Sequence, residues 1–366
     1  MKSILAVLVI AVASTGLSAC APIDCDPENP CYDVDTVTFH TSPVATTTDA
    51  GRFVAWGEER DKIRGHLLGS PIEALGDGVP VALASDGVDH LLLARQGDAL
   101  VARIVPGGAT HVIAHGVGDV ELMFDGDGYT VAWVTSHTGF VARLSRDGAP
   151  SVGPWQVTAT ETMHGALSLA VDPVGAAVAW VETPVVVDPQ GVHHTGPGQL
   201  HLRRVGFDGT LGDVRVMGQA NDAAIAGDAR GLVVASLTEN QQIIVDRLDT
   251  TWQPLAASQV VATSKDIGAG GFGVDIAGTI DRFVVRYRYP PGLGAEPTTR
   301  AVVFDGVLGI HVTLSSSPVI TAHGGVFHAV WVDHRFEDDG SGGYLELYDL
   351  KQATLRTDGM TTELLD

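Results

Sequence analysis

The chain has 366 residues, and its 44 Asp and Glu outnumber its 22 Lys and Arg, for a formal charge of -22. Such a balance excludes nucleic acid or an anionic lipid surface as an electrostatically steered partner. Hydrophobic residues make up 45% and the mean hydropathy is +0.18, enough apolar surface to build a core and too much for a disordered acidic tail.

The N-terminus reads as an address. Lys2 supplies a positive start, and Ile4 to Ala13 is an unbroken apolar run. A membrane-spanning helix needs about 20 residues, so the run is short for a span and suits the apolar segment of a secretory signal. Leu17-Ser18-Ala19-Cys20 follows. In that order, charge, apolar run and Leu-Ser-Ala-Cys resemble the signal and lipobox of bacterial lipoproteins. The resemblance implies that residues 1–19 are removed and that Cys20 carries a diacylglyceryl thioether on a membrane. An ordinary signal cut near Ala19 is the alternative. Ala21, standing where an Asp would favour inner-membrane retention, leans the expected location towards the outer membrane.

Residues 20–34 then form a polar tether. Cys25-Asp-Pro-Glu-Asn-Pro-Cys31 encloses five residues rich in turn formers. In an exported chain this spacing predicts a Cys25–Cys31 disulfide. Metal binding there lacks further thiol or imidazole ligands.

From residue 35 to 366 one pattern recurs: a strand of small residues, an Asp/Gly turn, an apolar strand often ending in Ala-Trp or Val-Trp, a variable loop and a third strand. The second strands align on positions 56, 94, 133, 180, 236, 286 and 331. Their intervals of 38, 39, 47, 56, 50 and 45 average about 46 residues, within the roughly 40–50 that a four-stranded propeller blade uses. Small residues in Val44-Ala-Thr-Thr-Thr48 and Val81-Ala-Leu-Ala-Ser85 suit innermost strands converging on an axis. Third strands such as Phe140-Val-Ala-Arg-Leu-Ser145 alternate apolar and polar. Asp147-Gly148 and Asp208-Gly209 predict tight hairpins. The fold class is therefore all-β, a seven-bladed β-propeller, with six or eight blades as alternatives because the 56-residue interval is wide. Thr36 to His40 is expected to pair into the last blade and close the ring, with Thr361 to Asp366 as the other candidate.

Val330-Trp-Val-Asp-His-Arg335 with Tyr344-Leu-Glu-Leu-Tyr348, and Val131-Ala-Trp-Val134 with Phe140 to Gly148, resemble repeats of the WD40-like and sialidase-like propellers of bacterial surface lipoproteins. The Ser-x-Asp-x-Gly-x-Thr-Trp box of sialidases does not occur in the sequence, which sets the chain apart from the hydrolytic members of that group.

If Asp/Gly hairpins join first to second and third to fourth strands, the second-to-third loops gather on the opposite face. Those loops run over Gly57 to Asp61, Val134 to Thr138, Glu182 to Gly198, Arg288 to Thr298 and Asp333 to Gly343. Their binding candidates are Glu58, Glu59, Arg60, Asp61, His137, His193, His194, Asp333 and Arg335. His193-His194 is a weak metal candidate, since adjacent residues of an extended chain point apart and the other ligands are not evident. Glu337-Asp338-Asp339 is the best place for Ca²⁺, although a solvated charged loop is the simpler reading. Asp125-Gly-Asp-Gly128 reads as a hairpin turn, because the remaining ligands of a calcium loop do not follow it. No cofactor is expected. The tryptophan column, Trp56, Trp133, Trp180 and Trp331, reads as packing between blades.

There is no Gly-x-Ser-x-Gly, His-Glu-x-x-His, phosphate-loop or dinucleotide motif. A membrane-anchored, non-enzymatic binding or scaffold module for a protein, peptide or glycan is the leading expectation. A sialidase-like hydrolase or lyase and a structural part of an envelope assembly are the alternatives. Three arginines clustered on the axis would favour the hydrolase.

Overall fold

Alternation is what makes this chain a ring. In the computed structural model, which describes residues 8–9, 43–49, 51–58, 62–67, 70–71, 73–158, 167–183, 185–187, 193–195, 197–267, 273–289, 298–314, 318–323, 325–338 and 344–364, seven antiparallel sheets follow one another along the sequence. Their innermost strands are Val44–Thr48, Val79–Ser85, Val120–Phe124, Ser168–Asp172, Asp222–Asp228, Val274–Gly278 and Val319–His323. Each innermost strand pairs with the strand that follows it, and the third and fourth strands extend the blade outwards. Successive side chains of a strand face opposite sides of its sheet, so every blade feeds two interfaces. In blade 3, Val120, Leu122, Tyr129, Val131 and Trp133 join the core shared with blades 1 and 2. Met123, Ala132 and Val141 join the core that runs on through blade 4. Seven blades, rather than six or eight, is therefore the count.

The aligned second strands all hold their places. Trp133, Trp180 and Trp331 are buried, and Trp56 packs half-buried against the edge of His66, with ring centroids 5.8 Å apart. Trp180 stacks on His201 at 5.4 Å and donates its indole N–H to Glu182 Oε1 at 3.0 Å. These rings are packing elements, as their repeat position implied.

The first-to-second turns of blades 2, 3 and 4 share one device. Asp86 Oδ1 accepts the N–H groups of Val88 and Asp89 at 2.9 and 2.8 Å, Asp125 Oδ1 those of Asp127 and Gly128 at 3.2 and 2.9 Å, and Asp172 Oδ1 those of Val174 and Gly175 at 2.8 and 3.0 Å. A short carboxylate bonding its own backbone two or three residues on is what makes Asp a turn former. An arginine from the third strand then ties the turn down: Arg143 Nε lies 2.8 Å from Asp125 Oδ2, and Arg204 pairs with Asp172. Asp125-Gly-Asp-Gly128 is thus a turn, as its sequence suggested.

Of the two strands expected to complete the last blade, the C-terminal one takes the place, two residues earlier than expected. The outermost strand of blade 7 is Gly359–Leu364, paired with Tyr344–Arg356. Blades 1 and 7 are each built from consecutive strands, and residues 36–40 lie outside the described residues. One further two-residue strand, Leu8–Val9, pairs with the channel-side edge of Val319–His323, Leu8 opposite Ala322 and Val9 opposite Thr321. The one helix among the described residues is the four-residue turn Ser264–Ile267. No helix among them is long and apolar enough to cross a membrane.

Candidate binding face

Antiparallel connectivity puts the first-to-second and third-to-fourth turns on one face of the disc and the second-to-third loops on the other. The described connections of the turn face are short, and several are capped by Asp. The loop face is uneven. Blades 2 and 3 end there in two-residue turns, Gly97-Asp98 and Ser136-His137. Ser136 and His137 have φ of 46° and 74°, the left-handed pair that a tight hairpin needs. His137 is the exposed tip of that turn, so the expected loop from Val134 to Thr138 shrinks to two residues.

Blades 4 and 7 project instead. The insertion in blade 4 forms its own hairpin, with Val185 opposite Thr195, Val186 opposite His194 and Val187 opposite His193. His193 and His194 are therefore strand positions and not loop positions. In blade 7, Val326–Asp338 and Tyr344–Arg356 pair over twelve positions, whereas the same pair of strands in blade 3 makes seven. Asp333 and Arg335, expected in a loop, sit in this ladder opposite Asp349 and Leu347. Glu337 and Asp338 are ladder positions too, opposite Leu345 and Tyr344, which replaces the expected calcium loop. Asp339 lies outside the described residues. Glu58 ends the second strand of blade 1 opposite Lys62. Glu59, Arg60 and Asp61 lie outside the described residues, as do Cys20, Cys25 and Cys31. Among the described residues no three His, Cys, Asp or Glu side chains are grouped to hold a metal ion.

Between the projecting hairpins the axial mouth carries charge that the sequence reading passed over. Glu121 of blade 3, Asp222 of blade 5 and Asp275 of blade 6 stand at the loop-face ends of innermost strands. Arg286 faces Asp275 across the blade, Nη2 to Oδ2 at 2.9 Å. Three of these groups also tie one blade to the next. Glu121 Oε2 accepts the N–H of Leu169 at 2.9 Å, Asp222 Oδ2 that of Val274 at 2.8 Å, and Arg286 donates to the carbonyl of Pro318. Ser168 Oγ plays the same part between blades 4 and 5, accepting the N–H of Ile225 at 2.9 Å.

Burial sets the protonation of this mouth. It pushes Glu121 well above the usual carboxylate range, with the Asp275 charge adding to the effect. Burial raises Asp222 to about 6 against the N–H bonds that favour its anion. Asp119, beside Glu121 in sequence, and Asp275 are also raised by burial, Asp275 despite Arg286. The mouth therefore gathers carboxyl groups whose protonated, hydrogen-bond-donating forms are favoured by burial. A signal for it stood in the sequence. Acids interrupt apolar strands in Val120-Glu121-Leu122 and Val274-Asp275-Ile276, and Arg286 occupies the column that holds Trp in four other blades.

No protein-family model matches the chain, and no curated protein does. Among solved structures it is similar to the six-bladed propeller lectin of the fungus Aleuria aurantia, at 9% identity and a TM-score of 0.46, over 89% of this chain and 95% of the lectin. It is also similar to a subtype N11 neuraminidase-like protein of a flat-faced bat virus, at 11% identity and a TM-score of 0.36, over 87% and 84%. A chain of the nidogen/laminin complex follows at 13% identity and 0.34, over 56% and 74%. The likeness is one of fold. The blade count rests on the strand order and not on these neighbours.

Proposed function

We propose that the chain is a lipid-anchored, extracytoplasmic binding module of a bacterial envelope, and that it holds a polar ligand on its loop face without transforming it. The observation that supports this is the asymmetry of the disc. One face carries short turns, several of them bonded by their own Asp. The other raises the hairpins of blades 4 and 7 around a carboxyl-lined mouth. A rigid scaffold that presents irregular segments on one side is a common way to build a binding surface. Hydroxyl groups of a glycan and amide groups of a peptide both suit carboxyl groups that donate and accept.

The anchor is part of the same reading. Processing after Ala19 releases Leu8–Val9 from the channel, acylation of Cys20 fixes the protein to lipid, and the tether, stiffened by Cys25–Cys31, lets the disc stand off the surface. Two or three acyl chains hold a protein firmly where one does not. Metabolic labelling with palmitate checks the anchor: label and membrane association are expected in the parent and lost in Cys20→Ala.

The binding reading is tested by screening the processed protein on glycan and peptide arrays. Replacing residues 184–196 by a short Gly/Ser link is expected to abolish capture, and Asp147→Asn on the turn face to leave it intact. A hydrolytic reading has one observation in its favour, a carboxyl at about 6 in Asp222 beside other carboxylates at the mouth. Turnover of a captured ligand that disappears in Asp222→Asn would replace the binding reading with this one.

A further inference from the structure

Strand edges line the axis of the ring. Among the described residues, each innermost strand is bonded by its own blade on one side only. The alternate N–H and C=O groups of its other edge therefore point into the channel, where they require water or another chain.

At blade 7 that edge is bare backbone. Val319 packs on Ala45 and Val54 across the seam with blade 1, and Thr321 Oγ1 meets Thr47 Oγ1 there at 2.8 Å. Ile320 and Ala322 join the apolar core that continues into blade 6. Successive side chains of Val319–His323 thus leave for the two neighbouring interfaces, and a row of peptide groups is what remains towards the axis.

The chain itself shows what such an edge takes. Leu8–Val9 lies on it as an antiparallel strand, Leu8 opposite Ala322 and Val9 opposite Thr321. Its backbone also passes close to the innermost strands of blades 1, 2, 3 and 6, so the segment stands inside the channel and not on its rim. Val319–His323 runs from the loop face to the turn face, and its antiparallel partner therefore climbs towards the loop face. The edge goes on past Thr321 through Ile320 and Val319 to the carboxyl-lined mouth. The sequence around the seated segment, Ile4 to Ala13, is uncharged and rich in Val and Ile, which favour an extended chain.

We propose that the axial channel of the processed protein is a docking site for an extended apolar segment of a partner polypeptide, which adds as a strand to the inner edge of blade 7. Leu8–Val9 holds the place until residues 1–19 are removed. Main-chain hydrogen bonds supply the affinity in this mode of recognition, and the flanking chemistry supplies selection. At the mouth Glu121, Asp222 and Asp275 stand against Arg286, which turns away a segment with acidic flanks. The site shares with the proposed function the removal of residues 1–19, and it is separate from any ligand held by the hairpins of blades 4 and 7.

The probe is a synthetic peptide of residues 4–13, with lysines added at both ends for solubility and a fluorophore. It is titrated by anisotropy into the processed chain, residues 20–366 with Cys20→Ser, so that neither lipid nor detergent is present; every blade strand lies within residues 44–364 and is retained. Saturable binding is expected, and binding about ten-fold weaker or less to the unprocessed 366-residue chain, whose channel is already filled. Two versions of the peptide, N-methylated on alternate residues, separate strand addition from apolar adsorption without altering the protein. Only alternate N–H groups face the edge, so one version is expected to lose about ten-fold in affinity, as for one or two main-chain hydrogen bonds, and the other to keep it. Replacing residues 184–196 by the Gly/Ser link, which removes capture on the loop face, is expected to leave peptide binding unchanged. No binding, equal behaviour of the two N-methylated versions, equal binding to processed and unprocessed chains, or loss of binding with residues 184–196 would overturn the channel site, whatever the arrays show for the loop face.

Discussion

Glu121 reaches from the innermost strand of blade 3 to the backbone N–H of Leu169 in blade 4, 2.9 Å away, although the two residues are 48 apart in the chain. A buried acid thus serves as a fastener between blades. Its Oε2 satisfies a donor that no strand pairing reaches, and its charge is suppressed by the same burial.

Removing the acceptor and removing the charge have different effects there. Glu121→Ala leaves Leu169 N–H unpaired in a dry interface and is expected to lower stability by about 1–3 kcal/mol. Glu121→Gln keeps an oxygen acceptor and, since burial already favours the uncharged acid, is expected to stay within about 1 kcal/mol of the parent. Urea unfolding at pH 7 compares the two.

Asp222 gives stability a pH dependence. Its folded-state value of about 6 lies above the ordinary 3.8. The stability it contributes is complete below the ordinary value and is lost as pH rises through about 6. Between pH 4 and 7 this amounts to about 2–3 kcal/mol favouring acid. Asp222→Asn is expected to flatten that limb in urea titrations made across the range.

Asp125 combines a turn and an ion pair. Its side chain is fully buried, bonds Asp127 and Gly128, and takes Arg143 on both oxygens at 2.8 and 2.9 Å. Asp125→Ala strands a mostly buried guanidinium and is expected to cost about 3–5 kcal/mol. Asp125→Asn retains turn acceptors and is expected to lose about half as much. Calorimetric melting should rank parent, Asn and Ala in that order.

Gly231 is required by both backbone and space. It closes the first turn of blade 5 at φ 147°, and a Cβ there would lie 1.9 Å from the carbonyl oxygen of Leu248. Gly231→Ala must displace the third strand of the blade and is expected to cost more than about 2 kcal/mol. Gly87→Ala, also at positive φ but facing open space, is expected to cost about 1 kcal/mol. Chemical denaturation of the pair separates crowding from conformational preference.

What was legible in the sequence was local or repeated. The tryptophan column marked the second strands because each blade must place a residue at the same depth between its neighbours. Asp125-Gly-Asp-Gly128 and Asp208-Gly209 announced turns because a carboxylate and a glycine make turns by themselves. The projecting hairpins were harder to see. Val185-Val-Val187 and His193-His-Thr195 are short runs whose pairing depends on each other, and Asp333 to Asp338 looks like a charged loop until the facing strand Tyr344–Arg356 is placed beside it.

Blade number, strand order and the division into a turn face and a loop face were thus determined by the sequence, through a period that each blade satisfies within itself. The mouth and the seam were decided only in three dimensions. Glu121, Asp222, Asp275 and Arg286 meet because blades 3, 5 and 6 converge on one axis. Thr321 comes to meet Thr47 because the last blade must close against the first. No local pattern records a contact between residues 274 positions apart, since it arises only when the accumulated turn of seven blades completes the circle.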